Sequence, residues 1–264
     1  MPACALLVAL LATLWLPTAH AADNDAPFRS SAAATGSFVS GNLSQAQAMG
    51  SLNLSKSADR AGFDVLGSAF RMWIRPAPDA PFVRIGDTLA ATALPFYYLG
   101  EKPFVLGFVR YERSQLRGLT GRINGGPSIG ITPVRKAERL MRISLGAQVE
   151  QTWYASPDLQ PDWVADAPDR LVPRAALLSN GWARIPDSRW SGRYVGGLFV
   201  NPLLPTDLRW FLDASSDLQI AGPLALRVSV NVLHDAVNPG AVLPTDLRTT
   251  AGLSWSTPPA KQDD

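Results

Sequence analysis

Strict alternation of apolar and polar residues is the feature of this sequence that most restricts its fold. Residues 224–231 read Leu-Ala-Leu-Arg-Val-Ser-Val-Asn, so one face of an extended strand carries only leucine and valine while the other carries alanine, arginine, serine and asparagine. Successive side chains point to opposite faces in a β-strand, whereas a helix repeats every 3.6 residues. The same alternation recurs at residues 119–132, 141–150, 208–217 and 246–255. It predicts an all-β chain whose strands separate two different environments.

The first residues have the form of an export signal. An uncharged apolar run ends before Pro17 and is followed by the small-residue sequence Ala19-His20-Ala21. This pattern predicts a signal peptide over residues 1–21, removed after its last alanine. Cys4, the only cysteine of the chain, falls inside the predicted signal. We therefore expect neither a lipid anchor nor a disulfide in the exported protein.

The remaining sequence predicts one domain with short unstructured ends. We expect a flexible leader over residues 22–33, a β-barrel over 34–257 and a disordered tail over 258–264, because both ends are small, polar and aperiodic. No run of eighteen apolar residues follows the signal, so no helical membrane span is expected. Between turn-forming residues the predicted strands are 34–41, 45–56, 61–75, 83–98, 102–114, 117–132, 138–154, 173–184, 190–202, 207–220, 222–235 and 245–257.

Strand length and composition favour a membrane. Strands of more than ten residues are long for a soluble sandwich and usual for tilted membrane strands. In lipid, only a helix or a closed sheet satisfies its own backbone hydrogen bonds. We therefore predict an antiparallel transmembrane β-barrel of about twelve strands in the outer membrane of a Gram-negative bacterium, inserted by the barrel-assembly machinery. The net charge of +2 is small and its basic residues are scattered among acidic ones, which excludes a nucleic-acid footprint.

Connector lengths support this topology. The longest predicted connectors, which cover 75–82, 155–172 and 235–245, all follow odd-numbered strands, whereas tight turns at 57–60, 100–102 and 221–223 follow even-numbered ones. Outer-membrane barrels have short periplasmic turns and longer external loops. The long connectors are thus expected outside the cell.

Two sets of side chains are predicted to line the two faces of the wall. Polar alternation positions are expected in the lumen, where mixed charges would pair and leave the lumen occluded or open only to small solutes. These residues are Arg122, Asn124, Arg142, Glu150, Arg209, Asp213, Arg227, Asp246 and Arg248. Aromatic residues near strand ends are expected to form interfacial girdles. These are Trp73, Tyr97, Tyr111, Trp153, Trp210 and Trp255.

The middle of the chain carries a motif that resembles a known family. A Tyr-Glu-Arg stretch, a Gly-Leu pair, an arginine and spaced glycines occur in order, followed by Ile143-Ser-Leu-Gly146. The residues at these places are Tyr111, Glu112, Arg113, Gly118, Leu119, Arg122, Gly126 and Gly130. This region resembles the YdiY-like salt-induced outer-membrane proteins. The resemblance implies an outer-membrane barrel and brings no catalytic residue with it.

The sequence departs from that family at three points. Ser114 stands where the family has aspartate, Ile131 replaces an aromatic residue, and Trp255 followed by a polar tail replaces a C-terminal aromatic residue. The last change concerns the end of the chain, where barrel-assembly signals lie in that family.

Two other function classes are compatible with the sequence. Gly126-Pro-Ser-Ile-Gly130 matches the nucleophile-elbow pattern, but that pattern requires a helix after the serine, and the alternation here predicts a strand. A barrel-embedded lipid or ester hydrolase that uses Ser128 and His234 needs only a few residues that converge at a rim. A soluble periplasmic β protein that binds a ligand is the third reading. With one histidine after the signal and no cysteine there, no metal or cofactor is expected. The non-enzymatic barrel is the preferred interpretation.

Overall fold

The computed structural model describes residues 29–39, 44–58, 60–77, 79–136, 138–156, 171–236 and 244–256. These residues form twelve strands and one short 3₁₀ turn, Gln115–Arg117. The strands are β1 Arg29–Val39, β2 Ser44–Ser57, β3 Ala61–Arg75, β4 Val83–Tyr98, β5 Pro103–Ser114, β6 Leu119–Lys136, β7 Arg139–Tyr154, β8 Val172–Arg184, β9 Trp190–Asn201, β10 Leu204–Ala221, β11 Leu224–Asp235 and β12 Thr245–Ser256. In these ranges no helix is long and apolar enough to cross a membrane.

The sheet closes on itself. Every strand pairs antiparallel with its neighbours in sequence, and β1 pairs with β12 to complete the ring. The closing seam runs from the pair Ser31–Ser256 to the pair Gly36–Ala251. A Cβ atom on Gly252 would lie 2.4 Å from the Ala34 carbonyl oxygen, so a glycine allows the two backbones to approach closely here. Closure leaves no exposed strand edge. The predicted antiparallel barrel of about twelve strands is confirmed.

The two ends of the barrel differ in connector length. We call the end that joins odd strands to the following even strands the upper end; its connectors include 76–82, 155–171 and 236–244. The lower end holds both ends of the described chain and shorter connectors, such as 58–60, 137–138 and 222–223. Long connectors are therefore confined to the upper end, although 202–203 shows that short ones occur there as well.

Strand boundaries agree closely with the predicted spans, with one informative difference. β1 begins at Arg29, so residues 29–33, which composition placed in the flexible leader, belong to the sheet. Ser31 pairs with Asn53 of β2 and with Ser256 of β12. Ring closure through backbone hydrogen bonds extends this strand, and its small polar residues gave no hydrophobic signal for it. The predicted signal and tail lie outside the described residues.

The wall has an apolar outer face. Leu145, Ile129 and Val149 are more than half exposed although they lie in the middle parts of strands. Their neighbours Ser144, Ser128 and Gln148 are almost fully buried, so the buried face is the interior of the barrel. Other large apolar residues exposed on the strands are Leu52, Leu89, Ile131, Leu177, Leu226, Val228, Leu247 and Leu253. An apolar surface that surrounds the molecule is typical of a face in contact with lipid.

Part of the interior is a packed aromatic core. Rings from β4, β5, β9 and β10 meet there, with Phe108, Phe199 and Phe211 within 6.4 Å of one another between centroids. The whole cluster comprises Leu94, Phe96, Tyr98, Phe104, Leu106, Phe108, Ala176, Leu178, Val195, Phe199 and Phe211. Glycines on the facing strands make room for it. A Cβ on Gly130 would lie 2.7 Å from Phe104 Cζ and 2.3 Å from the Ile143 carbonyl oxygen.

This packing predicts that adding a methyl group to an interior glycine destabilises the barrel only where neighbouring atoms fill the space. Gly130→Ala is expected to lower the free energy of unfolding by about 1–3 kcal/mol, because neither the backbone of β7 nor the packed ring can yield easily. Gly50→Ala on β2 is the matched control, since a Cβ there meets nothing within 4 Å. Urea titration of the refolded barrel in lipid vesicles measures both. Equal midpoints for the two variants would contradict the packed core.

Candidate functional site

The interior of the barrel is the candidate functional site, because the predicted lumen residues converge there. Six of the nine are buried: Arg122, Asn124, Arg142, Glu150, Arg209 and Arg227. The other three, Asp213, Asp246 and Arg248, lie on the same inner face with side chains 30%, 29% and 14% exposed. The structure thus brings them into one chamber, but distributes them over different layers of it.

A buried ion network occupies the upper end. Three arginines and three carboxylates form linked ion pairs there, and the pair Arg117–Glu112 lies beside them, so the formal charges cancel. We call this set the upper network: Arg117, Arg122, Arg174, Arg209, Glu112, Glu150, Asp207 and Asp235. All eight side chains are at most 7% exposed. Each lies near the upper end of its strand or in the turn that follows.

Glu150 and Asp207 hold the centre of the upper network. Glu150 accepts hydrogen bonds from Arg174, at 3.1 Å, and from Arg209. Asp207 lies 2.8 Å from the Nη2 atom of Arg174. Strand β11 contributes Asp235, which is 2.8 Å from Arg122. Because the network joins strands β6, β7, β8, β10 and β11, it ties opposite parts of the wall together.

Arg117 covers the network from the 3₁₀ turn. Its Nη2 donates to the Leu233 carbonyl oxygen at 3.4 Å, and its Nη1 lies 4.0 Å from Glu112. Burial lowers the pKa of Arg117, because loss of water penalises the charged guanidinium more than the nearby carboxylates stabilise it. The turn therefore covers part of the upper end, and the guanidinium of Arg117 makes only a long contact with Glu112 there.

Arginines also pack on the aromatic core. The guanidinium carbon of Arg142 lies 3.6 Å from the centroid of the Phe96 ring, and that of Arg110 lies 4.0 Å from the centroid of Phe211. Such cation–π contacts stabilise a cation removed from bulk water. The aromatic core and the upper network together fill the side of the lumen formed by β4 to β10.

The lower layer of the lumen contains discrete ion pairs. Arg142 donates to Asp64 at 2.9 Å and to the Tyr98 hydroxyl at 3.0 Å. Arg227 holds Asp217 with two hydrogen bonds of 2.7 and 2.9 Å. This forked geometry fixes both side chains against the wall. The charged side chains of the lower layer therefore form separate pairs along the wall and do not fill the lumen as the upper network does.

Two small cavities lie on the opposite side of the barrel. These adjoining cavities, of about 60 and 40 Å³ measured for the centres of water-sized molecules, lie against β2, β3, β4, β10 and β11. We call them together the passage. Their walls combine small side chains, such as Ser51, Ser68 and Ser229, with charged and larger apolar ones. The residues that line both cavities are Met49, Ser68, Ala90, Arg110, Asp213 and Asn231.

The shared residues separate the two cavities, and we call this point of the passage the constriction. Arg110 Nη1 lies 3.2 Å from Asp213 Oδ2, and Asn231 donates to the other oxygen of Asp213 at 2.8 Å. Arg110 also donates to the hydroxyl of Thr92 at 3.0 Å. Asp213 is nevertheless 30% exposed, so the constriction contacts solvent while the upper network does not.

Sequence alternation missed several of these residues. Arg110 follows Phe104, Leu106 and Phe108 on the inner face of β5, but the outer face of this strand is also apolar. The expectation that apolar residues face outward is therefore wrong for β5. This strand carries apolar residues on both its inner and its outer face, so it shows no alternation. Arg174 was missed for a related reason, since its inner neighbours on β8 are valine, alanine and leucine. The register that pairs Arg174 with Gln148 is seen only in the folded sheet.

The six predicted girdle residues lie on the outer side of the wall at both ends. Trp73, Tyr111, Trp153 and Trp210 lie toward the upper end, while Tyr97 and Trp255 lie at the lower end. Tyr97 and Trp255 are 38% and 60% exposed. Two groups separated along the strands are the arrangement that interfacial girdles have in membrane barrels, so the girdle stays a prediction.

The residues considered for a hydrolase do not come together. Ser128 is buried on the inner face of β6, which continues as a strand where the nucleophile elbow would require a helix. His234 alternates with the buried Asp235 and so lies on the outer side of β11. Its ring stacks on that of Trp210, with 5.7 Å between centroids, and its Nδ1 is hydrogen-bonded to the Thr245 hydroxyl at 2.9 Å. The wall separates the two side chains. Within the described ranges, no three His, Cys, Asp or Glu side chains are arranged to hold a metal ion.

Comparison with known proteins gives distant structural neighbours. No family model and no curated relative matches the chain, so the resemblance of residues 111–130 to the salt-induced family stays a prediction. The translocator domain of the autotransporter NalP from Neisseria meningitidis is 9% identical, with a TM-score of 0.42, over 96% of this chain and 97% of that one. An outer-membrane channel from Pseudomonas putida is 12% identical, with a TM-score of 0.43, over 91% and 98%. The β domain of the Bordetella autotransporter BrkA is 12% identical, with a TM-score of 0.39, over 88% and 100%.

The upper network predicts that loss of a carboxylate within it destabilises the barrel more than loss of a carboxylate elsewhere in the lumen. Glu150→Gln is expected to lower the free energy of unfolding by about 3–5 kcal/mol, because two buried arginines lose their shared partner. Asp246→Asn, which removes the half-buried partner of Arg248, should cost less than about 1 kcal/mol. Urea titration in lipid vesicles compares the two variants. A similar small loss for both would show that the network does not stabilise the barrel.

Proposed function

We propose that this protein is an outer-membrane β-barrel that lets only small solutes cross through the passage. The observation that carries the proposal is the division of the lumen: the upper network and aromatic core fill one side, while the passage leaves a narrow space along the other. A wide aqueous channel requires more strands than twelve, and open porins have sixteen to eighteen. The barrel is therefore suited to water, ions or small polar molecules.

The outer surface supports the membrane location. Large apolar side chains are exposed around the ring, and aromatic residues lie near both ends of the strands. A soluble periplasmic protein would expose this surface to water at a large cost in free energy. The long connectors at the upper end favour an orientation with that end outside the cell and both ends of the chain in the periplasm. Export through residues 1–21 and insertion by the barrel-assembly machinery belong to the same proposal.

The resemblance to the salt-induced proteins adds a finer proposal. A protein that admits small solutes across the outer membrane could take part in the response to external salt or to envelope stress, as that family name suggests. Its biochemical role would then be passive permeation and not catalysis. Comparison of protein abundance in cells grown at low and high salt tests this part, and unchanged abundance would argue against it.

Electrical recording in planar lipid bilayers tests the proposed function. The purified barrel is expected to give single-channel conductances far smaller than those of a general porin measured in the same bilayers. Arg110→Ala should raise the conductance about two-fold or more, because the narrowest segment of a pore dominates its resistance. Arg113→Ala is the matched control, since Arg113 is exposed on the opposite face of the same strand.

Three results would contradict the proposal. Large, stable conductances of the unmodified protein would show an open lumen. A complete absence of conductance in both the unmodified protein and Arg110→Ala would show that the passage does not cross the barrel. Recovery of the protein from cells without detergent would refute the membrane location.

A further inference from the structure

The lower half of the lumen has one arginine more than its carboxylates can neutralise. Three ion pairs use three aspartates there, namely Arg110–Asp213, Arg142–Asp64 and Arg227–Asp217. A fourth arginine, Arg193 of β9, has no carboxylate within ion-pair distance among the described residues. The upper network is balanced, with four arginines and four carboxylates, and Arg248 is paired with Asp246. The surplus positive charge of the interior is therefore located at Arg193.

Arg193 keeps most of its hydrogen-bonding capacity. Its Nε donates to the Ser215 hydroxyl at 3.2 Å, which is its one hydrogen bond within the described part of the chain. A guanidinium has five N–H groups, so both terminal nitrogens stay available. The side chain lines the passage. Its unused donors therefore lie beside open space and not within packed protein.

Arg227 places a second guanidinium, with one unused donor, in the wall of the same space. Its Nε and Nη2 bind Asp217, while its Nη1 is buried and has no hydrogen-bond partner. Register places the two arginines on either side of β10: Ser215 pairs with Arg193, and Asp217, two residues further along, pairs with Arg227. Both line the lower cavity of the passage. Two guanidinium groups with unused N–H groups thus lie beside one cavity, and the unused Nη1 of Arg227 is buried in its wall.

We propose that Arg193 and Arg227 form a binding site for a small oxyanion within the passage, and that this site makes the passage favour anions over cations. The inference deepens the proposed function and rests on the passage being accessible from solution. An unpaired guanidinium removed from bulk water is costly, and a mobile anion offsets that cost. The planar donor fork of arginine matches the oxygens of sulfate, phosphate or a carboxylate.

The charges around the lower mouth support an anion as the occupant. Exposed basic residues outnumber exposed acidic ones in the described turns and strand ends of this rim. The basic residues are Arg60, Lys102, Arg135, Lys136, Arg139, Arg184 and Arg189, and the acidic ones are Glu101, Glu138 and Asp187. A positive rim raises the local concentration of anions. The three aspartates of the lower lumen do not oppose binding strongly, because each is already held by an arginine.

Titration with sodium sulfate tests the site directly. The full barrel, refolded in detergent, is expected to bind sulfate in isothermal calorimetry. Arg193→Gln should weaken this binding by about ten-fold or more, because it removes a charge-assisted donor pair. Arg193→Lys should retain part of the affinity, since it keeps the charge without the fork. Arg84→Gln is the control, because Arg84 is exposed at the other end of the barrel.

Ion selectivity gives an independent measurement. In a gradient of potassium chloride, the reversal potential should show preference for chloride, and Arg193→Gln should reduce that preference while Arg84→Gln leaves it unchanged. Retention of the heat-modifiable shift on gels shows that each variant is folded.

The outcomes separate this inference from the proposed function. No sulfate binding by the unmodified barrel, or equal binding by Arg193→Gln, overturns the anion site even if the barrel conducts. Sulfate binding that depends on Arg193 in a barrel that conducts no current supports the site and refutes permeation. Conduction with preference for cations overturns the proposed selectivity.

Discussion

Closure of the sheet between β1 and β12 is the constraint on which the rest of the structure depends. Backbone groups at an open edge would need water or another chain, whereas the closed ring satisfies them within the molecule. Closure also divides the side chains into an outer and an inner set. With twelve strands the inner set has limited space, so large residues on some strands must be matched by glycine or serine on others. The Phe104 ring opposite Gly130 is one result of this limit.

Charge inside such a closed wall has two different roles. In the upper network, every arginine has carboxylate partners, and the group fills space and links strands. In the lower layer, pairs are separate and Arg193 has no carboxylate partner within the described residues. Burial of a balanced network contributes little net stability compared with apolar packing, but removal of one member is costly. An unbalanced charge beside open space has another consequence, because it favours a mobile ion of opposite sign. The distribution of charge thus separates the closed side of the lumen from the side that solvent can enter.

Sequence alone could predict those strands whose residues alternate between apolar and polar, because each face then indicates its own environment. On β7, Leu145 alternates with Ser144 and Glu150 shares the polar face, so strand, register and inner face all follow from a period of two. The same argument could not place Phe108, because β5 is apolar on both faces. It could not find the passage either, since its small serines and alanines give no signal of their own. Which arginine lacks a partner depends on contacts across the barrel, and these require the closed fold.

Thiol accessibility tests the central claim, a lipid-facing wall around a lumen that is filled on one side and open on the other. In a chain with Cys4 replaced, Leu145→Cys, Ser144→Cys and Ser51→Cys place single thiols on the outer face, in the filled side and in the passage. In lipid vesicles, a small charged thiol reagent should modify only the thiol at position 51. Lipid should protect the thiol at position 145, and side-chain packing should protect the thiol at position 144. All three should react after denaturation. Rapid modification at 145 or 144 in the folded protein, or none at 51, would contradict the account.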